Sequence, residues 1–116
     1  MAGSASGQVP EISAREAHDR LAQTAAEDEL TPALIDVREV LEFRAGHAAG
    51  AVNIPLSQFR QRVEEVPRDR DVLFICHVGE RSMMAARFAR QQGVVRVFNV
   101  DGGTDAWEAA GLPMEK

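Results

Sequence analysis

Asp71-Val72-Leu73-Phe74-Ile75-Cys76-His77-Val78-Gly79-Glu80-Arg81-Ser82 is the stretch on which the fold turns. The unbroken apolar run from Val72 to Ile75 predicts a strand buried on both faces, as in a parallel sheet. A helical pattern follows over residues 81 to 91, with Met84 and Phe88 on one side and Gly93 as its C-cap. Strand, short loop and helix thus follow one another without a break. In open α/β sheets, ligands bind beyond the carboxyl ends of the strands. Cys76, the chain's one cysteine, stands at such an end.

Outward from this stretch, the pattern alternates. Ser13-Ala14-Arg15-Glu16 reads as a capping box, with Ala17, Leu21 and Ala25 at helical spacing after it. Residues 33 to 38 form a short apolar strand that turns polar at its end. Residues 39 to 45 give one or two helical turns, stopped by Gly46. Residues 51 to 54 make another strand, ended by Pro55. Ser57 is placed to cap a helix carrying Phe59, Val63 and Val66 on one face, finished before Pro67. Residues 94 to 100 form a last strand and Asp101-Gly102-Gly103 a turn. A helix holding Trp107 then closes at Gly111, with Pro113 beyond. Strands separated by helices predict an α/β sheet with helices on both faces. Residues 1–8 read as a disordered tail and 9–116 as a single domain.

Composition narrows the function classes. A chain of 116 residues buries one proper core. Its 45% hydrophobic and 27% charged residues are ordinary for a globular protein. No apolar run approaches the roughly 20 residues that span a bilayer, so no membrane role is expected. Residues 1 to 7 lack the basic start and apolar core of a signal peptide. One cysteine precludes an intrachain disulfide and suits a reducing compartment, giving a cytoplasmic expectation. A net charge of −5 argues against nucleic acid as the main partner. Residues 81 to 100 nevertheless hold Arg81, Arg87, Arg90 and Arg96 and no acid. Such a face suits a small anion or an acidic protein, and equally a solvated helix surface for the last three. His18 reads as a helix-surface residue, and His47 as the residue fixing the turn at 46–50. His18, His47, His77 and Cys76 match no metal-ligand spacing, so neither metal nor cofactor is expected.

The loop carries the chemistry. Backbone N–H groups of residues 77 to 81 lie before the helix, where they lack intrahelical partners and favour an anion. Gly79 permits a curl that a side chain would hinder, and Arg81 adds a planar cationic fork. The same surroundings favour a thiolate: a free cysteine titrates at about 8.5, and helix N-termini with nearby cations bring it to roughly 3.5–7.5. The competing reading makes Cys76 a small buried hydrophobe. The placement of Gly79 and Arg81 before a helix tips the balance towards a nucleophile.

Three separated motifs then carry a family resemblance. Cys76-x-x-Gly79-x-Arg81-Ser82 resembles the active-site loop of single-domain rhodaneses, in the rhodanese-like sulfurtransferase family. Ile35-Asp36-Val37-Arg38-Glu39, Glu42-Phe43, Gly46-His47 and Gly50-Ala51-Val52-Asn53-Ile54-Pro55 resemble the family's upstream signature. Asp101-Gly102-Gly103-Thr104-Asp105-Ala106-Trp107 with Gly111-Leu112-Pro113 resembles its closing segment. The resemblance implies a rhodanese-like fold, with a five-stranded parallel sheet flanked by helices. It implies a Cys76 persulfide that takes sulfane sulfur from a donor such as thiosulfate and passes it to a thiol or cyanide. His77, Val78, Gly79, Glu80, Arg81 and Ser82 would bind the donor, with Asp36 and Arg38 in support: Asp36 bonding loop amides, Arg38 anchoring a carboxylate. Mercaptopyruvate or a protein persulfide are other donors the family admits. Thioredoxin, glutathione or a sulfur-carrier protein are candidate acceptors. A related phosphatase branch places five residues between cysteine and arginine; here four separate Cys76 from Arg81, which favours sulfur over phosphorus. Phosphatase or arsenate reductase chemistry ranks below transfer, and a binding or regulatory module with little turnover is the other alternative. Two departures stand out. Glu80 occupies a position that is small or neutral in many relatives, and is expected to pair with a surface arginine. His47-Ala48-Ala49-Gly50 lacks the Ile-Pro that often follows the histidine. Glu39 and Glu42 are candidates for the mouth of the site, and Trp107 for the core.

Overall fold

A computed structural model describes residues 8–25 and 30–116. The expected tail, Gln8 apart, lies outside the described residues. The described residues form seven strands: β1 (Glu11–Ile12), β2 (Ala33–Asp36), β3 (His47–Ala48), β4 (Val52–Asn53), β5 (Val72–Ile75), β6 (Val97–Val100) and β7 (Met114–Glu115). They also form five α-helices, α1 (Ala14–Ala25), α2 (Val40–Ala45), α3 (Leu56–Arg62), α4 (Glu80–Gln91) and α5 (Gly103–Ala109), one between each pair of successive strands except β3 and β4. The main sheet runs β1-β6-β5-β2-β4 with every pair parallel. The cysteine strand β5 therefore lies at its centre. All four of its residues are buried, as the continuous apolar run requires.

Strand geometry divides the core into two layers, because alternate side chains point to opposite faces. Val72 and Phe74 pack with Phe59, Val63, Ala85, Ala86 and Ala89, on the side of α3 and α4. Leu73 and Ile75 pack with Ala14, Ala17 and Trp107, on the side of α1 and α5. Phe59 meets Phe74 edge-on at 5.7 Å between ring centroids, a favoured aromatic arrangement. Trp107 is fully buried, and its indole N–H donates to the Pro113 carbonyl at 2.7 Å. No helix among the described residues is long and apolar enough to cross a membrane.

Several local expectations change. The capping box is half formed: the Glu16 N–H donates to Ser13 Oγ at 3.0 Å, but the Glu16 carboxylate accepts from Arg20 at 2.9 Å instead of returning to the cap. Ser57 does not cap α3. Pro55 takes that place, and the Ser57 hydroxyl donates to Glu39 at 2.7 Å. His18 is half-buried, its ring edge-on to Trp107 at 5.8 Å, rather than a surface residue. The buried side of α4 is Ser82, Ala85, Ala86 and Ala89, whereas Met84 is 59% exposed and Phe88 half-buried. Small residues let α4 approach the sheet closely, with Met83 and Phe88 packed at the edge of that contact and Met84 facing outward. The pairing of β3 with β7 in a small antiparallel sheet has no counterpart in the sequence reading; two-residue strands carry no periodicity.

Candidate active site

Three elements meet at Cys76 itself: β5, the first turn of α4 and the first turn of α5. Beyond β5 the chain curls so that Gly79 adopts φ +108°, a left-handed conformation natural to glycine. The curl wraps Sγ of Cys76 in donors. The Gly79 N–H lies 3.2 Å away, the Ser82 N–H 3.3 Å and the Ser82 hydroxyl 3.3 Å. Cys76 is 1% exposed and Ser82 fully buried. Burial pushes the thiol up, but the Ser82 hydroxyl and the amides of Ser82, Gly79 and Arg81 outweigh it and hold Cys76 below its ordinary value.

The loop is held from beneath. The Thr104 N–H donates to the Cys76 carbonyl at 2.7 Å, and the Asp105 N–H to the His77 carbonyl at 3.1 Å. Gly103 makes this seat possible, since its φ is +57° and a Cβ there would come within 2.4 Å of the Cys76 carbonyl. Asn99, fully buried on β6, donates from Nδ2 to the Gly79 carbonyl at 3.1 Å and to Glu11 at 3.0 Å. It thereby fixes the peptide whose neighbouring N–H faces the sulfur. The sequence reading missed Asn99; a lone amide in the apolar run Val97-Phe98-Asn99-Val100 was its signal.

Arg81 does not stand free for an anion. Its guanidinium donates to both carboxylate oxygens of Glu42, at 2.8 and 3.0 Å. That bidentate pair, reinforced by the Glu39 N–H and opposed by partial burial, holds Glu42 at about 2 and raises Arg81. Glu42 is therefore part of the site's edge, and the pair stays formed at neutral pH. Glu39 instead caps α2 reciprocally with Glu42 and accepts from Ser57.

The remaining predicted residues divide. Val78 is 48% exposed. His77 is exposed, with Nε2 3.5 Å from Asp105 Oδ1. Glu80 is exposed and forms no ion pair among the described residues, so the expected arginine partner is absent. Asp36 is fully buried and grips Arg38 in a two-pronged pair at 2.9–3.1 Å. It also accepts the Arg38 N–H at 2.9 Å, while Arg38 donates to the Gly46 carbonyl at 2.7 Å. The carboxylate that Arg38 anchors is thus Asp36 itself, the loop amide that Asp36 accepts is that of Arg38, and the pair braces the α2–β3 corner. His47 Nδ1 lies 2.8 Å from the Phe43 carbonyl and its ring stacks on Phe43 at 3.7 Å, so it ties the turn back to α2. Among the described residues, no group of three or more His, Cys, Asp and Glu is placed to hold a metal.

Ser82→Ala tests the electrostatics. Removing one of the donors to Sγ should move the pH–rate profile for iodoacetamide alkylation upward by about one unit. The rate at neutral pH should fall about tenfold with the fold intact. An unshifted profile would deny the hydroxyl its role.

Comparison with known proteins follows the same lines. A family profile described as the rhodanese-like domain matches residues 13–110. A sulfurtransferase of Allochromatium vinosum is 40% identical over 106 residues, covering 91% of this chain and 94% of that protein. The thiosulfate sulfurtransferase GlpE of Vibrio cholerae is 37% identical over 82 residues, or 71% of this chain and 77% of that one. The solved structure of human single-domain sulfurtransferase TSTD1 superposes with a TM-score of 0.76 at 25% identity, covering 88% of this chain and 97% of that chain. Fold, loop and similarity agree: the chain belongs to the rhodanese-like domain family.

Proposed function

We propose that this protein is a sulfurtransferase that moves sulfane sulfur from a small donor to an external thiol, or to cyanide, through a persulfide on Cys76. The observation that carries the reading is the ring of donors aimed at Sγ from Gly79 and Ser82. Such a ring stabilises negative charge on sulfur, first as thiolate and then as persulfide.

The chemistry balances in two steps. The Cys76 thiolate attacks the outer sulfur of the donor, forming a new S–S bond while the donor's S–S bond breaks. With thiosulfate, sulfite leaves with that electron pair. The acceptor thiolate or cyanide next attacks the outer persulfide sulfur, and the Cys76 thiolate departs. No second cysteine is present in the chain, so an intramolecular disulfide cannot discharge the sulfur. The enclosed sulfur favours donors that present a terminal, protruding sulfur atom. Because Arg81 already carries Glu42, the site offers less net positive charge than the motif alone suggests. Donors with less charge than dianionic thiosulfate, such as cysteine persulfide, are favoured on this ground.

Intact-mass and peptide-mapping measurements test the reading. Incubation with thiosulfate or glutathione persulfide should add about 32 Da to Cys76, removable by cyanide as thiocyanate. If neither donor marks Cys76, the transfer function is wrong.

A further inference from the structure

The side of α4 turned away from the sheet faces a groove of about 410 Å³ shared with α3. Leu56, Phe59, Met84 and Phe88 supply apolar walls, and Arg60 and Arg87 the charge. No carboxylate lines it. The Arg60 guanidinium lies 4.9 Å over the Phe88 ring, and neither Arg60 nor Arg87 forms an ion pair among the described residues. Two uncompensated guanidinium groups beside an apolar recess are a marked feature on a chain of net charge −5.

The groove also begins one helical turn beyond the cysteine loop. Met84 follows Arg81 by three residues and Phe88 by seven, spacings that share one helix face. At 1.5 Å rise per residue, Met84 is displaced about 4.5 Å along the axis from Arg81. On the other wall, the Leu56 N–H donates to the Val37 carbonyl, next to the carboxyl end of β2. A chain resting in the groove therefore ends beside the loop that holds the sulfur. Cys76 has too little exposed surface to hold a large partner by itself, so such a partner needs a separate seat.

We infer that this groove docks an acidic protein segment carrying an apolar anchor, the sulfur acceptor whose thiol discharges Cys76. The inference rests on the transfer function proposed above and names the acceptor's class. The apolar anchor fills the space between Met84 and Phe88, and flanking carboxylates pair with Arg60 and Arg87. This charge pattern rejects basic segments and directs acidic ones to the thiol side of the molecule.

Synthetic thiol peptides test it. One peptide carries cysteine, leucine and phenylalanine among aspartates and glutamates; a second replaces the acids with lysines; a third keeps the acids but replaces leucine and phenylalanine with serine. Fluorescein-labelled copies report binding by anisotropy, and loss of the persulfide mass reports discharge. The acidic apolar peptide should bind and discharge Cys76 about tenfold faster than the other two at low salt, within the usual range of electrostatic steering. The double variant Arg60→Glu with Arg87→Glu should reverse the preference between acidic and basic peptides, and Arg87→Glu alone should narrow it. Discharge by cyanide should be unchanged in both. Equal binding of all three peptides, an unaltered ratio in the variants, or equal performance by the serine peptide would overturn the inference. Displacement of the peptide by octanoate with no effect of peptide charge would make the groove a small-molecule pocket and likewise overturn it. Failure of the persulfide to form would strike the transfer function alone, since anisotropy still reads the groove.

Discussion

Cys76→Ser should abolish sulfur transfer, with turnover reduced by about 10⁴-fold or more, as befits loss of a nucleophile. A serine hydroxyl in the same ring of donors has neither the polarisability nor the accessible anion needed to attack a sulfane sulfur. The mass adduct should vanish with it. Stability supplies a second readout. The folded protein holds the thiol below its ordinary value. Between the folded-state value and the unfolded one near 8.5, the unfolded chain binds more protons, so stability rises with pH. That contribution is fully present above the unfolded value and is lost as pH falls through the folded one. Urea unfolding from about pH 6 to 9 should therefore show the native protein gaining on the serine variant. A difference that stays flat across the range would mean the thiol is not depressed, and measurable transfer by the variant would move the chemistry elsewhere.

Gly103→Ala should be nearly as damaging to the site without touching its chemistry. A Cβ would stand 2.4 Å from the Cys76 carbonyl and 2.5 Å from the His77 carbonyl, both backbone atoms in the cysteine loop. The residue also sits at φ +57°. Relief requires α5 to withdraw or the loop to lift, and either breaks the bonds from Thr104 and Asp105. The expected cost is about 3 kcal/mol in urea unfolding, at the upper end of overpacking effects. Thiol alkylation should slow in parallel, because the carbonyl that anchors Cys76 has moved. Gly111→Ala is the control: its φ is +72° but a Cβ there meets nothing within 4 Å, so only the conformational cost of about 1 kcal/mol applies. Equal losses from the two variants would refute the docking role of Gly103.

Most of the fold was legible because burial leaves a local trace. Val72 to Ile75 read correctly as a central strand, since four consecutive apolar residues have few other uses. Trp107 read correctly as core. Cys76, Gly79 and Ser82 were legible as one loop by spacing, and they do converge on one sulfur. Asn99 and Glu42 were harder. Each acts on the loop from far along the chain, Asn99 from 20 residues after Gly79 and Glu42 from 39 before Arg81. Met84 and Phe88 do share one side of α4, as their spacing predicts, but it is not the side against the sheet. Apolar spacing on a helix marks a face that packs, but the alanines met the sheet and left these two with Arg60 in the groove.

By itself, then, the sequence determined the alternation of β2, β4, β5 and β6 with the helices, the placement of a single thiol between β5 and α4, and the glycine its loop requires. These depend on properties each short segment carries alone: apolar runs, helical spacing and freedom at φ. Only the tertiary structure decided which partners those residues take. It spent the charge of Arg81 on Glu42, set Gly103 beneath the cysteine carbonyl, and left Arg60 and Arg87 beside an apolar groove. Pairing of that kind depends on distances between remote segments, and only the packed sheet brings those distances within hydrogen-bond range.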